Sequence, residues 1–308
     1  MVQTEHEKYL VEEVGIDYAD GLISRREALR RLGLMGMSAV AASSLLAACA
    51  GDDEEPEARA TATATATASA TAPGATEDPN AGAVAAEDIT FSGPAGTIFA
   101  KYAAAEDPRG AVLVIHENRG LKDHFGMVAG RLARDGYSAM AIDLLSREGG
   151  TAELNDDARA MAALSGASAD RFIEDMRAGL DELERRNPDA ELAIMGFCFG
   201  GGQVWSLLDA GEPRLAAAAP FYGTPPDNPD FSGSEAAVLA VYGANDARVT
   251  GTRPAAEAAL EAAGLEHKIL VYEGADHAFF NDTGQRYNPQ AASEAYRELL
   301  DWFGQHLS

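Results

Sequence analysis

Cysteine is nearly absent: Cys49 and Cys198 are the only two in 308 residues, so neither a disulfide framework nor a cysteine-rich zinc module organises the chain. Their contexts differ so much that a bridge between them is not expected. Positive charge is also scarce, with 24 Lys and Arg against 49 Asp and Glu and a net charge of −25. Nothing resembles a phosphate-binding face, which argues against nucleic acid as a partner. The acidic excess reads as a matter of solubility or of the surrounding medium, not of catalysis. No cluster of His, Cys and carboxylates at ligand spacing stands out, so neither a metal nor an organic cofactor is expected. The uncharged run from Leu32 to Ala48 is short for a hydrocarbon layer of roughly 30 Å, and small residues dilute it. What the chain does have is 46% hydrophobic residues, ample for one large domain with a buried core.

The first 48 residues carry an address. Residues 24–30 read Ser-Arg-Arg-Glu-Ala-Leu-Arg, and an apolar stretch follows. This resembles a twin-arginine export signal, a route that carries folded cargo. The stretch ends in Leu46-Ala47-Ala48-Cys49, which resembles the lipobox of bacterial lipoproteins, so Cys49 is expected to be acylated and to become the mature amino terminus. More than one acyl chain holds durably, each buried methylene contributing roughly 0.8 kcal/mol. The expected location is extracytoplasmic and membrane-anchored. From Ala50 the composition changes to Asp52-Asp53-Glu54-Glu55 and then a Thr-Ala alternation from Ala60 to Ala72. Nothing there could bury a core, so residues 49–86 are read as a disordered tether. Residues 87–308 are read as the folded domain.

In that domain, short apolar runs alternate with helical stretches, the pattern of a mostly parallel, doubly wound α/β sheet with helices on both faces. Strands are expected at Ala111–His116, Ser138–Asp143, Glu191–Met195, Leu215–Tyr222, Ala237–Tyr242 and Lys268–Tyr272. Helices are expected near Phe125–Arg134, Ala169–Arg186, Gly201–Leu208, Arg253–Ala263 and Pro289–His306. Functional residues of such a sheet gather at the carboxyl ends of its strands.

One of those ends is specific. Gly196-Phe197-Cys198-Phe199-Gly200 lies between a strand and a helix, the Gly-x-nucleophile-x-Gly elbow of the α/β-hydrolase fold with cysteine at its centre. The helix start favours a thiolate, and the Phe199 amide points where an oxyanion would form. The order in this fold is nucleophile, acid, histidine. Asp246 follows the strand ending at Tyr242, and His277 follows the strand ending at Tyr272. His277 is expected to take the thiol proton and Asp246 to orient it. Asp276 is the less favoured acid, since consecutive side chains on a turn rarely face each other. His116 and His124 are expected to support the pocket, and His6, His267 and His306 to play no part. Phe199 and Trp205 are expected to pack in the core or wall. Residues 143–170 and 222–236 are expected to form much of the pocket wall.

With these residues in hand, the domain resembles the dienelactone hydrolase family, cysteine-dependent α/β-hydrolases. The cysteine elbow, the Asp246 loop, Asp276-His277-Ala278-Phe279 and His116-Glu117-Asn118-Arg119-Gly120 carry the likeness. It implies that Glu117 helps switch the resting thiol to thiolate and that the Asn118 amide is the second oxyanion donor. Where the family's best-known members have an arginine four residues after the histidine, to bind the dienelactone carboxylate, this chain has Asn281. Arg119, with Arg147 and Arg286 as alternatives, is the candidate to hold a substrate anion from another direction. The expected protein is a monomeric or weakly dimeric hydrolase of a small ester, lactone or thioester, working through an acyl-enzyme. The rivals are a lipid-anchored binding protein that has lost turnover and, less favoured, a peptidase of the same superfamily.

Overall fold

A computed structural model describes residues 5–49 and 78–307. The centre is an eight-stranded sheet in the order β1-β2-β4-β3-β5-β6-β7-β8. Strands β3 (Ala111–Ile115), β4 (Ser138–Ile142), β5 (Leu192–Phe197), β6 (Leu215–Phe221), β7 (Ala237–Gly243) and β8 (His267–Tyr272) run parallel. Strand β3 reads Ala-Val-Leu-Val-Ile and every residue is buried, as a strand covered on both faces requires. At one edge, β1 (Glu87–Gly93) and β2 (Gly96–Ala103) form an antiparallel hairpin that joins β4. Neither was foreseen, because their half-exposed alternation gives a weaker signal than the apolar central runs.

The helices are α1 (Glu5–Ala19), α2 (Arg25–Leu34), α3 (Ala39–Cys49), α4 (Asp123–Arg134), α5 (Thr151–Leu154), α6 (Asp157–Ser165), α7 (Ala169–Arg186), α8 (Phe199–Asp209), α9 (Ala247–Thr250), α10 (Arg253–Ala263) and α11 (Pro289–His306). Helix α7 buries Phe172, Met176, Leu180 and Leu183 along one stripe and lies on β3 and β4 beside α8. Helices α4 and α11 cover the sheet's other face and meet where Arg131 lies over the Tyr296 ring at 5.2 Å. This is the α/β-hydrolase fold expected from the sequence.

Two boundaries differ from expectation. Residues 78–86, read above as the end of the tether, pack on the domain: the Val84 amide donates to the Gly130 carbonyl at 3.0 Å, and Asn80 donates to Asp282 at 2.7 Å. The short polar segment is held because α4 offers it a close backbone approach at Gly130, where a Cβ would stand 2.2 Å from the Val84 oxygen. The rest of the expected tether, residues 50–77, lies outside the described residues.

The segment read as an address is a folded helical layer on the domain. Leu10, Val14, Ala28 and Leu32 are fully buried, α1 lies on α6 and α8, and α2 lies on α6. Ser24 caps α2 by accepting from the Glu27 amide at 3.2 Å, and Arg30 clamps Asp156 with two bonds of 2.9 Å. Arg25 and Arg26 are exposed in the first turn of α2. Among the described residues no helix is long and apolar enough to cross a membrane.

Candidate active site

Cys198 sits between β5 and α8 with φ 57° and ψ −118°. That strained geometry is what a sharp strand-to-helix turn imposes, and glycines on either side make it possible. A Cβ on Gly200 would stand 2.4 Å from the Ile115 oxygen and 2.6 Å from that of His116, and one on Gly196 would stand 2.3 Å from the Gly200 oxygen. The turn is fixed by the Cys198 amide, which donates to the Phe221 carbonyl at 3.0 Å. The Phe199 amide is the first of α8, at the helix's positive end.

His277 and Asp246 leave β8 and β7 on the same side of the sheet. Nδ1 of His277 lies 2.6 Å from Oδ2 of Asp246, and both side chains are buried. Oδ1 of Asp246 accepts from the Val249 amide, so the carboxylate caps α9 while its other oxygen orients the imidazole. Burial pushes the Asp246 carboxyl up, but its bond to His277 and the charges of His277 and Arg248 outweigh this and hold it below the usual range. Burial likewise works to lower the His277 pKa. Glu13, the Cys198 sulfur and Asp246 overcome it, raising His277 well above its ordinary value. Asp276 accepts instead from Asn245 at 2.9 Å.

Glu117 follows β3. One oxygen accepts from Asn281 Nδ2 at 2.8 Å and the other from the Tyr222 hydroxyl at 3.5 Å. Asn281, where the resemblance implied an arginine, is therefore a partner of Glu117. Tyr222, at the end of β6 with φ 39°, also sets its ring edge-on to His277. Burial, then the nearby Glu117 and Cys198, pushes its phenol well above the usual value. It was not singled out from the sequence, where a lone tyrosine at a strand end carries no chemical signature.

His116 accepts from the Leu144 amide at 3.1 Å through Nε2, which leaves Nδ1 to donate to the Glu117 carbonyl at 2.7 Å. Burial lowers its pKa against the pull of Asp143 and Glu117, so a neutral ring braces the Glu117–Asn118 turn. His124 pairs with Asp282 at 2.8 Å. Phe199 packs on Phe172, and Trp205 stacks on Phe231, as core residues do. Arg147 is occupied by Asp175 and Glu174 and does not reach the pocket.

A cavity of about 230 Å³ borders Cys198 and His277, with Glu117, Arg119, Arg286 and Asp17 in its wall. The expected walls, 143–170 and 222–236, do not line it. Residues 157–165 form α6, whose apolar face is spent on seating α1 and α2, while Thr224, Pro225 and Pro226 line a separate hollow beside Tyr9. The walls are instead α1, the turn into α2 with Arg31, residues 117–119 after β3, and the loop that runs from His277 to Arg286.

Helix α1 also overturns the expectation that no metal-like cluster exists. A Glu13 oxygen, Cys198 Sγ and His277 Nε2 lie within 4.8 Å of one another. Oxygen, sulfur and nitrogen donors at that spacing could hold a divalent ion, though Glu13 is already paired with Arg248. Reading residues 1–48 as an address hid Glu13, Tyr9 and Asp17 from view. Leu10 and Val14, spaced as one apolar face of a helix ahead of the arginine pair, were the available signal.

The profile of the dienelactone hydrolase family matches residues 97–307. A provisionally named carboxymethylenebutenolidase from Salmonella typhimurium is 33% identical over 224 residues, covering 68% of this chain and 82% of that protein. One from Escherichia coli K12 is 32% identical over 218 residues, covering 66% and 79%. Among solved structures, a provisionally named dienelactone hydrolase from Klebsiella pneumoniae superposes with a TM-score of 0.64 at 29% identity, covering 71% of this chain and 98% of that one.

Proposed function

Because the chain belongs to the dienelactone hydrolase family and is a hydrolase of ester or lactone bonds, we propose that Cys198 is its nucleophile and that the reaction passes through an acyl-thioester. The observation that carries this reading is the Asp246–His277 pair, 2.6 Å apart, with the ring's other nitrogen within 4.8 Å of the elbow sulfur. His277 takes the thiol proton and the thiolate attacks the carbonyl carbon. The amides of Phe199 and Asn118 hold the oxyanion. As the tetrahedral adduct collapses, the C–O bond to the leaving group breaks, and the imidazolium returns its proton to the departing alkoxide. Water then gives a proton to His277, its hydroxide adds to the thioester carbonyl, and collapse releases the acid and restores the thiolate–imidazolium pair. Asp246 keeps Nδ1 protonated throughout.

Glu117 stands ready beside this centre, held by Asn281 and Tyr222. Its role in switching the thiol is part of the same proposal. Arg119 and Arg286 line the cavity and are assigned to an anionic group of a small substrate. A monomer or weak dimer is proposed as the working form.

One assay tests the chemistry and the anion preference together. With 4-nitrophenyl acetate, His277→Ala is expected to lower turnover by about 10²- to 10⁴-fold. With a 4-nitrophenyl ester bearing a free carboxylate, Arg119→Ala should raise KM severalfold relative to its effect on the acetate's KM. Equal rates for wild type and His277→Ala would instead favour the binding-protein rival.

We also infer export and lipid anchoring at Cys49. The reading is supported by the order of the arginine pair, the apolar stretch and Leu46-Ala47-Ala48-Cys49, and by the exposure of Arg25 and Arg26. Cys49→Ser expressed in a bacterium with a lipoprotein pathway should move the protein out of the membrane fraction. Unchanged membrane association would remove Cys49 as the anchor.

A further inference from the structure

Three side chains of α1, spaced four apart and so on one face of the helix, reach the reaction centre. Tyr9 donates its hydroxyl to Cys198 Sγ at 3.3 Å and stands 3.5 Å from His277 Nε2. That is the space through which a carbonyl must approach the sulfur. One turn on, Glu13 lies 3.5 Å from the same nitrogen and pairs with Arg248. One turn further, Asp17 accepts from Arg286 at 3.1 Å, with Arg119 at 3.6 Å and Arg31 at 3.8 Å.

We propose that α1 is an internal competitor of the substrate, Tyr9 covering the thiol and the Asp17 carboxylate occupying the two arginines assigned to a substrate's anionic group. This rests on the reading of Cys198 as nucleophile and extends it: the chain that still carries residues 1–48 holds its own site closed. The helix is seated by Leu10 and Val14, both fully buried, and beneath it Cys198 is only 3% exposed. The Asp246–His277 bond needs nothing from it. A tethered competitor acts at an effective concentration of about millimolar, so a dilute substrate displaces it poorly. Tyr9, Glu13 and Asp17 all precede Cys49, and removal of residues 1–48 by the export route proposed above would take the whole cover away. Arg248, Arg286 and Arg119 would then face the open cavity, and Arg286 and Arg119 would take the substrate's charge.

The full chain carrying Tyr9→Ala, Glu13→Ala and Asp17→Ala together provides the test, beside wild type. The readouts are the rate at which iodoacetamide alkylates Cys198, mapped by peptide mass so that Cys49 is counted separately, and the turnover of 4-nitrophenyl acetate. Both rates are expected to rise at least about tenfold. An unchanged alkylation rate overturns the proposal, and so does faster alkylation with slower turnover, which would make α1 part of the working site. Faster alkylation with no Cys198-dependent turnover in either protein supports the cover while sinking the catalytic reading. Should the triple variant not fold, hydrogen exchange on wild type decides: amides of residues 9–18 protected across α1 support the proposal, and exchange at the rate of an unstructured peptide overturns it.

Discussion

Cys198→Ala abolishes ester turnover, with an expected loss of about 10³-fold or more in kcat/KM relative to the wild-type chain. The substitution deletes only Sγ and leaves the backbone at φ 57° no worse served than before. Folding should therefore be intact, and the loss chemical. Cys198→Ser keeps an attacking atom in place and tests a finer point. A serine hydroxyl is intrinsically a much weaker acid than a thiol, so serine should retain only a small fraction of activity, measurable above alanine. Wild-type rates in the alanine variant would move the reaction away from the elbow altogether.

Gly200→Ala is the second large effect, on stability. Its methyl would meet two backbone oxygens at the end of β3, 2.4 Å and 2.6 Å away. β3 is the sheet's central, fully buried strand, so neither oxygen can give way without moving β4 and β5 as well. Overpacking of a core typically costs about 1–3 kcal/mol, occasionally more, and two rigid clashes put this one at the upper end, about 3 kcal/mol or above. At about 2–4 °C per kcal/mol for a domain of this size, Tm should fall by about 10 °C. Gly202→Ala is the control two residues along the same helix, where the nearest atom, the Thr224 oxygen, lies at 3.4 Å. There the better helix propensity of alanine, up to about 1 kcal/mol, should offset the contact. Equal Tm shifts for the two variants would mean that the elbow is looser than its geometry implies.

Much of this site was legible because its signals are local. The Gly196–Gly200 elbow is five consecutive residues whose spacing has a steric cause, and Asp246 and His277 each follow an apolar strand that announces itself. The expected stretches Ala169–Arg186, Arg253–Ala263 and Pro289–His306 coincide with α7, α10 and α11, whose apolar stripes face the core. The β1–β2 hairpin was lost because one of its faces is wet and its alternation short. The cover over the thiol was lost for a deeper reason. Tyr9 meets Cys198 across 189 positions and His277 across 268, and no local period encodes such a meeting. The composition of residues 24–49 carries a strong message of its own, which masked the fact that the helices around it have an apolar face to bury. Asn281 was noted as a departure, yet its use as a donor to Glu117 follows only once the loops after β3 and β8 are seen together.

The central claim is that sulfur carries the acyl group between the two half-reactions. The full chain mixed with 4-nitrophenyl acetate and quenched in acid within milliseconds to seconds, then digested and weighed, reads this directly. The acetyl mass is predicted on the peptide containing Cys198, forming and decaying at rates consistent with turnover, and absent in Cys198→Ala. Steady hydrolysis by the wild-type chain with no acetylated Cys198 at any time point, and with the acetyl mass on another residue, would contradict it.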